Sequence, residues 1–441
     1  MTYAEAVAYL HGLAMFGSRF GLEPPRQLAA AAGNPQQCLR FVHVAGTNGK
    51  GSSCAMLESI YRTAGLRVGL FTSPHLVSFR ERMQVNRQLI SEADVARLVG
   101  ELISVQGPVF SRTGDGTPLS TQSPTTIHPP LTFFEFVTVM ALRYFAEQQC
   151  DLVIWETGLG GRLDATSIVT PLASVITNIA LDHQQWLGDT LAKIAAEKAG
   201  IIKPGVPVFT SAEAPEAVAI IRTEAERHHA HFTHVTRALE ANPGTDGAPK
   251  LALAGTHQRM NAALAVAVVE GLQQQIPVSN EAVQRGLESV HWAGRLQRAQ
   301  VGGCEFLLDG AHNLDGVQAL CRFLAGEFSG KPFALVVGML ADKDWEPMAR
   351  SLALLANRFA TVRVSSPRAM DPVEIGDVLR KANPAAHVTS HGSVAEALAE
   401  VNGEARVVVA GSLYLIGEAL ELLALSTVPG ERELNEWQPA R

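Results

Sequence analysis

Residues 43–52 read His43-Val44-Ala45-Gly46-Thr47-Asn48-Gly49-Lys50-Gly51-Ser52. The β-rich run 41–45 (FVHVA) leads into these glycines. Beyond them Met56 and Ile60, like Leu57 and Tyr61, recur at helical spacing until Gly65, a natural helix stop. Residues 67–71 (RVGLF) supply the next strand. Strand, glycine loop, helix and strand in this order predict a parallel α/β sheet. In that setting the glycines let backbone N–H groups converge on phosphate oxygens, and the helix N-terminus adds positive potential. Lys50 is placed to reach β- and γ-phosphates, and Ser52 to ligate Mg²⁺. The pattern departs from GxxxxGK[ST], because Val44 stands five before Gly49 and Gly51 separates Lys50 from Ser52.

Outward from this loop, helices are expected at 91–104, 132–149, 190–199, 259–274 and 279–288, and strands at 152–155 and 173–179. Residues 106–131 are rich in Gly, Pro, Ser and Thr and read as a surface insertion. Near residue 298 the strand–helix rhythm restarts, with strands expected at 305–308, 333–337, 361–364 and 406–409. The expected organisation is an ATP-binding unit over 1–297, a smaller α/β unit over 298–425, and a frayed tail over 426–441.

Bulk properties narrow the class. Hydrophobic residues make up 47% of the 441 and charged residues 18%, enough apolar material for packed cores. The formal charge is -7, from 36 basic and 43 acidic residues, so no counterion-release drive toward nucleic acid exists. The first residues, MTYAEAVAYLHGLAMFGSRF, lack a basic start and cleavage site, and no apolar run reaches the ~18 residues of a membrane span. Five cysteines, none in a CxxC pair, fit a reducing cytoplasm rather than a disulfide framework. No coiled-coil pattern appears, so a monomer is expected.

The variant loop GTNGKGS resembles that of the Mur ligase superfamily, which includes folylpolyglutamate and dihydrofolate synthases. Further segments are similar to its folate branch. They are 71–76 (FTSPHL) with 79–82 (FRER), 156–166 (ETGLGGRLDAT), Leu181-Asp182-His183 with Leu187-Gly188, and 197–201 (EKAGI). His257-Gln258 with Asn261, 292–295 (WAGR), 309–313 (DGAHN), Gly338 with Asp342-Lys343-Asp344, and 411–415 (GSLYL) continue the series in family order. Ala293 stands where proline is common, and Gln297 where Glu is common. Only 45 residues precede Gly46, too few for the UDP-sugar domain of the peptidoglycan enzymes, which favours the folate branch.

The resemblance implies a Mur ligase architecture: a mainly parallel P-loop-type ATPase sheet followed by a Rossmann-like α/β unit. It implies an ATP-dependent ligase, cytoplasmic, joining L-glutamate to dihydropteroate and to the γ-carboxylate of reduced folates through an acyl phosphate. Two Mg²⁺ ions and no organic cofactor are expected. Gly46, Thr47, Asn48, Gly49, Lys50, Gly51, Ser52, Asn261, Arg295 and Asp309 would hold ATP. Ser52, Ser73, Glu156, His183 and Lys198, the last as a carbamate, would ligate metal. Pro74, His75, Arg82, Phe133, Phe134, Glu135, Leu163, Asp164 and Ala165 would form the pterin side. His312 and Ser412 would meet glutamate. Lys50, Lys198, Arg295 and His312 are the expected catalytic groups.

Independent chemistry supports several of these. Glu156 follows the apolar strand LVIW, and His183 follows ASVITNI, so both fall where open α/β sheets bind ligands. Taken singly, His183 reads as a structural histidine, Lys198 as a solvated lysine near a helix end, and the phenylalanines as core. Asp309 alone reads as a buried cap. The alternatives are another amino-acid ligase of the superfamily, a monofunctional folylpolyglutamate synthase, or a P-loop ATPase switch without amide product.

Overall fold

The computed structural model describes residues 1–14, 21–106, 131–236, 250–426, 428 and 430–435. Most of the insertion expected over 106–131 lies outside the described residues.

The first sheet uses β1 (Phe41–Ala45), β2 (Val68–Phe71), β3 (Met83–Val85), β4 (Gln88–Leu89), β5 (Leu152–Glu156), β6 (Ala173–Ile176), β7 (Val208–Thr210) and β8 (Phe232–His234). Their order is β4-β3-β2-β5-β1-β6-β7-β8. All neighbours pair in parallel except β2 with β3 and β3 with β4. β1 is buried throughout and flanked by β5 and β6. Such a continuous apolar run suits a strand covered on both faces. One face is covered by a core containing Leu10, Leu28, Phe136, Phe145 and Trp155. The other carries Met56, Leu57 and Ile60 of the helix Lys50–Thr63 against Leu264 and Val268 of the helix Thr256–Gly271.

The second sheet uses β9 (Gln297–Val301), β10 (Cys304–Asp309), β11 (Ala334–Val337), β12 (Arg358–Val362), β13 (His387–His391) and β14 (Arg406–Ala410), ordered β13-β12-β11-β14-β10-β9. Only β9 with β10 is antiparallel. The mixed α/β class with two parallel-dominated sheets agrees with the sequence reading.

Several elements differ from expectation. β8, β9 and β13 lie at sheet edges and are half-exposed, so their polar sequences FTH, QRAQV and HVTSH give no apolar run. β7 is short and follows Pro207, which masks a strand signal. The strand expected at 361–364 begins three residues earlier, because Arg358 enters it with its charge paired to Glu400 and Glu404.

The tail also needs correction where it is described. Leu434 is 2% exposed and joins the core of the first unit. Glu431 accepts hydrogen bonds from Tyr3 Oη, Ser78 Oγ and the Phe79 amide. A buried leucine and a multiply bonded carboxylate hold this stretch down, which composition alone did not reveal. Residues 436–441 lie outside the described residues.

Candidate active site

The carboxyl ends of β1, β5 and β6 meet the loops before β9 and after β10 around one cavity of about 520 Å³. Gly46 to Ser52, Ser73, Pro74, Glu156, Asp182, His183 and Lys198 line it from the first unit. Asn261, Arg295, Asp309 and His312 complete it. Lys50 and Glu156 therefore share a cavity that also faces Arg295.

The loop geometry follows from its glycines. Gly49 precedes the helix Lys50–Thr63 with φ of 86°, and a Cβ there would sit 2.5 Å from Asn261 Oδ1. No side chain caps this helix, so its first N–H groups face the cavity end. Lys50 Nζ donates to the carbonyls of Gly46 and Thr47 at 3.1 and 3.2 Å. Gln258 Nε2 donates to Ser52 Oγ at 3.2 Å, and Asn261 Nδ2 to Gln258 Oε1 at 3.0 Å. Gln258 thus links two expected nucleotide contacts.

Glu156 ends β5 and is 4% exposed. Its Oε2 accepts the Ser73 amide at 3.2 Å. Burial pushes its carboxyl up to about 7, against the pull of Lys50, the Ser73 amide, Arg295 and Arg82. Lys198 is equally buried and donates to the Gly46 carbonyl at 2.7 Å. Burial, then the nearby Lys50 ammonium, brings it down to about 7. The solvated-lysine alternative is therefore overturned: the helix Leu191–Ala199 delivers Lys198 inward.

Two glycines explain that delivery. A Cβ on Gly161 would lie 2.8 Å from the carbonyls of Glu197 and Lys198, and one on Gly200 2.5 Å from Arg162 Cα. The turn after β5 and the helix end approach closely enough for Arg162 N–H to donate to Glu197 O at 2.9 Å. The segments ETGLGGR and EKAG are thus one packing unit.

Across the cavity, Asp309 ends β10 and accepts the amides of Leu296 and Ala311 at 2.9 and 3.0 Å. It caps this loop and still borders the cavity. His312 Nδ1 donates to Gly310 O at 2.8 Å, which leaves Nε2 with its lone pair. Burial, then Lys343, lowers His312 to about 4, so the ring is neutral near pH 7. Arg295 Nη1 donates to Gly294 O at 3.2 Å.

Contacts between units join expected site residues to Asp182, Asn178, Asp315 and Lys343, for which no role was expected. Lys343 pairs with Asp182 at 2.5 Å, both side chains under 10% exposed, and lies 3.4 Å from His183 Nε2. Burial, then Lys343, lowers His183 to about 3. Asn48 Nδ2 donates to Asn313 Oδ1 and Asp315 Oδ2 at 3.1 and 2.8 Å. Asn178 Nδ2 also reaches Asp315, at 2.9 Å. Asp182 lies in Leu181-Asp182-His183 and Lys343 in Asp342-Lys343-Asp344, and a pair 161 positions apart leaves no local signal.

The expected pterin side is not gathered around the cavity as a whole. Pro74 lines it, with Gly158 and Leu159 beside it. Arg82 is 3% exposed and commits its donors to His75 Nδ1, Ser73 Oγ and Asn435 Oδ1 at 2.9, 2.9 and 2.7 Å. Its guanidinium lies 5.3 Å from the Phe133 ring centre. Phe134 packs on Phe71 and against Gly158. Glu135 forms a capping box with Thr132, and Asp164 caps the turn containing buried Ala165. His75 is buried, whereas Leu163 is 41% exposed. Ser412 caps the helix Leu413–Leu422 through the Leu415 amide at 3.1 Å, and its neighbour Leu413 lines the cavity.

The donor chemistry fits Mg²⁺. Glu156, Ser52 and Ser73 offer hard oxygens beside the phosphate loop, the partial set that suits an ion also bound to phosphate. Among the described residues no three His, Cys, Asp or Glu side chains form a cluster able to hold an ion by themselves. None of the described helices is long and apolar enough to cross a membrane.

Comparison with known proteins agrees with this layout. A family model described as Mur ligase, glutamate ligase domain matches residues 294–413. The chain is 36% identical over 435 residues to dihydrofolate synthase/folylpolyglutamate synthase of Bacillus subtilis (strain 168), covering 94% of this chain and 98% of that protein. It is 31% identical over 434 residues to dihydrofolate synthetase of Saccharomyces cerevisiae, covering 91% and 97%. Among solved structures, E. coli FolC in complex with DHPP and ADP superposes with a TM-score of 0.81 at 30% identity, covering 96% of this chain and 98% of that one. Mycobacterium tuberculosis folylpolyglutamate synthase complexed with ADP and AMPPCP gives 0.82 at 28%, covering 97% and 100%.

Proposed function

The chain belongs to the dihydrofolate synthase/folylpolyglutamate synthase family, and from that premise we propose that it performs both reactions of the pair. It joins L-glutamate to dihydropteroate and extends reduced folates at the γ-carboxylate. One observation carries the reading: Lys50, Glu156 and Lys198 face a single cavity with Arg295, Asp309 and His312, which lie in the stretch matched to the glutamate ligase domain. A phosphate switch would use Arg295 and Asp309 but has no need for an amino-acid pocket beside His312.

The chemistry runs in two balanced steps. A carboxylate oxygen of the pteroyl or folyl substrate attacks the γ-phosphorus of ATP, the bond to the β–γ bridging oxygen breaks, and ADP leaves. The glutamate amine then attacks the acyl carbon, the tetrahedral intermediate expels phosphate, and the amine gives up a proton. Lys50 and Arg295 offset charge on the transferring phosphoryl group. Neutral His312, with Nε2 free of its proton, borders the place for the incoming amine. Pro74, Gly158 and Leu159 offer a surface for the acyl substrate.

Mg²⁺, when bound, would neutralise phosphate charge, with Glu156, Ser52 and Ser73 as its protein ligands. His183 and carbamylated Lys198 would serve a second ion. Addition of CO₂ needs an unprotonated amine, and burial of Lys198 favours that form. The free thiols Cys54 and Cys150 fit a cytoplasmic setting.

The test is mass spectrometry of products made by purified protein from ATP, glutamate and either dihydropteroate or tetrahydrofolate. Glutamylated product from both is expected. Product from tetrahydrofolate alone would make the enzyme monofunctional. ATP hydrolysis with neither product would overturn the ligase reading.

A further inference from the structure

The described end of the chain lies on the loop that follows β2. After the helix Leu413–Leu422 the chain leaves the second unit and returns to the first, where Leu434 enters the core. Asn435 makes three contacts there. Its Oδ1 accepts Arg82 Nη2 at 2.7 Å, its Nδ2 donates to His75 O at 2.8 Å, and its carbonyl accepts Tyr414 Oη at 2.7 Å. Tyr414 belongs to the second unit, one residue from cavity-lining Leu413.

Arg82 relays this contact. Its other donors reach Ser73 Oγ and His75 Nδ1. Ser73 N–H in turn donates to Glu156. His75 accepts at Nδ1, so its proton sits on Nε2, which donates to Glu431 O at 2.9 Å. Arg82 is a buried cation whose hydrogen-bond acceptors here are uncharged groups, so loss of one acceptor leaves a charged donor unsatisfied and frees the side chain to turn. Glu431 holds the same loop at Ser78 and Phe79.

We propose that Asn435, outside the cavity, is a positioning residue: acting through Arg82, it holds the loop bearing Ser73 and Pro74 in the shape that receives the acyl substrate. Because Tyr414 holds Asn435 from the second unit, the loop is set only when the two units are docked. This rests on the ligase reading above.

The experiment uses full-length protein carrying Asn435→Ala, Asn435→Asp or Asn435→Gln. Loss of one charge-assisted hydrogen bond predicts about a tenfold rise in KM for dihydropteroate in Asn435→Ala. KM for ATP should rise less than KM for dihydropteroate, since the phosphate loop is separately built and only Ser73 is shared. Asn435→Asp restores an acceptor for Arg82 and should recover most of the loss, whereas the longer Gln misplaces it and should not. If Asn435→Ala does not fold, the contrast between Asp and Gln decides. Equal KM for dihydropteroate in all variants, or parallel rises for both substrates, would overturn the assignment. Wild-type protein that forms no glutamyl product would instead remove the ligase reading itself.

Discussion

Lys50 and Lys198 direct their ammonium groups at one acceptor, the carbonyl oxygen of Gly46, from 3.1 and 2.7 Å. Burial and backbone geometry hold both on one carbonyl; Lys198, brought down to about 7, is the one able to give up its proton there, while Lys50 keeps a charge that a triphosphate would meet. Lys50→Ala should lower single-turnover product formation by roughly 10²–10³-fold, as for loss of one preorganised charge-stabilising donor. A change below about threefold would remove Lys50 from phosphoryl transfer.

Lys198→Ala should lose activity, and small carboxylates such as acetate should partly restore it by replacing a carbamate oxygen. Lys198→Arg should not be rescued, because the guanidinium fills the space and takes up no CO₂. Turnover assays across added acetate read the difference. Rescue that is equal in both variants, or an active Lys198→Ala, counts against carbamylation.

The Lys343–Asp182 pair joins the units with both side chains buried. Lys343→Ala leaves Asp182 without its cation and should destabilise by about 3–5 kcal/mol in denaturant titration. Adding Asp182→Asn should recover much of that loss, since the uncompensated charge is the cause. Additive losses in the double mutant would show that the pair does not couple the units.

Gly161→Ala places a methyl against the backbone carbonyls of Glu197 and Lys198, which cannot swing aside as a side chain could. A stability loss of about 1–3 kcal/mol is expected from the forced displacement. Activity should fall at temperatures where the variant remains folded, because Lys198 shifts with its backbone. Thermal melts paired with turnover below the transition check both.

His43 on β1 is fully buried, its Nε2 2.9 Å from Thr166 Oγ1. The Thr166 hydroxyl donates to Asp164, so the ring donates from Nε2, and Nδ1 has no partner among the described residues. Burial, with help from Lys203, brings its pKa down to about 3. The unfolded value is about 6.5. The neutral ring is therefore the native form, and its stability is fully present above the unfolded value. It is lost as pH falls from about 6.5 toward 3, by up to roughly 1.4 kcal/mol per pH unit. His43→Gln keeps a donor for Thr166 without this titration. Its melting temperature should therefore gain on wild type between pH 7 and 5; a constant gap would rule out His43 as a source of acid sensitivity.

Periodicity and glycine placement were enough for the two-sheet α/β class, the phosphate loop and the position of Glu156 at a strand's carboxyl end. Those features depend on neighbours a few residues apart, where backbone sterics and apolar alternation act directly. The edge strands β9 and β13 escaped because a half-exposed strand needs no apolar run. Which side chains actually face the cavity was decided only in three dimensions. Arg82 and Glu135, which the resemblance puts on the pterin side, have internal partners through burial, while Lys343 and Asp182 meet across 161 positions. Asn435 looked like loose tail until packing of Leu434 brought it to Arg82. Local sequence sets backbone shape, but a buried charge takes whatever partner tertiary packing puts within about 3 Å, and that choice is not written in its neighbours.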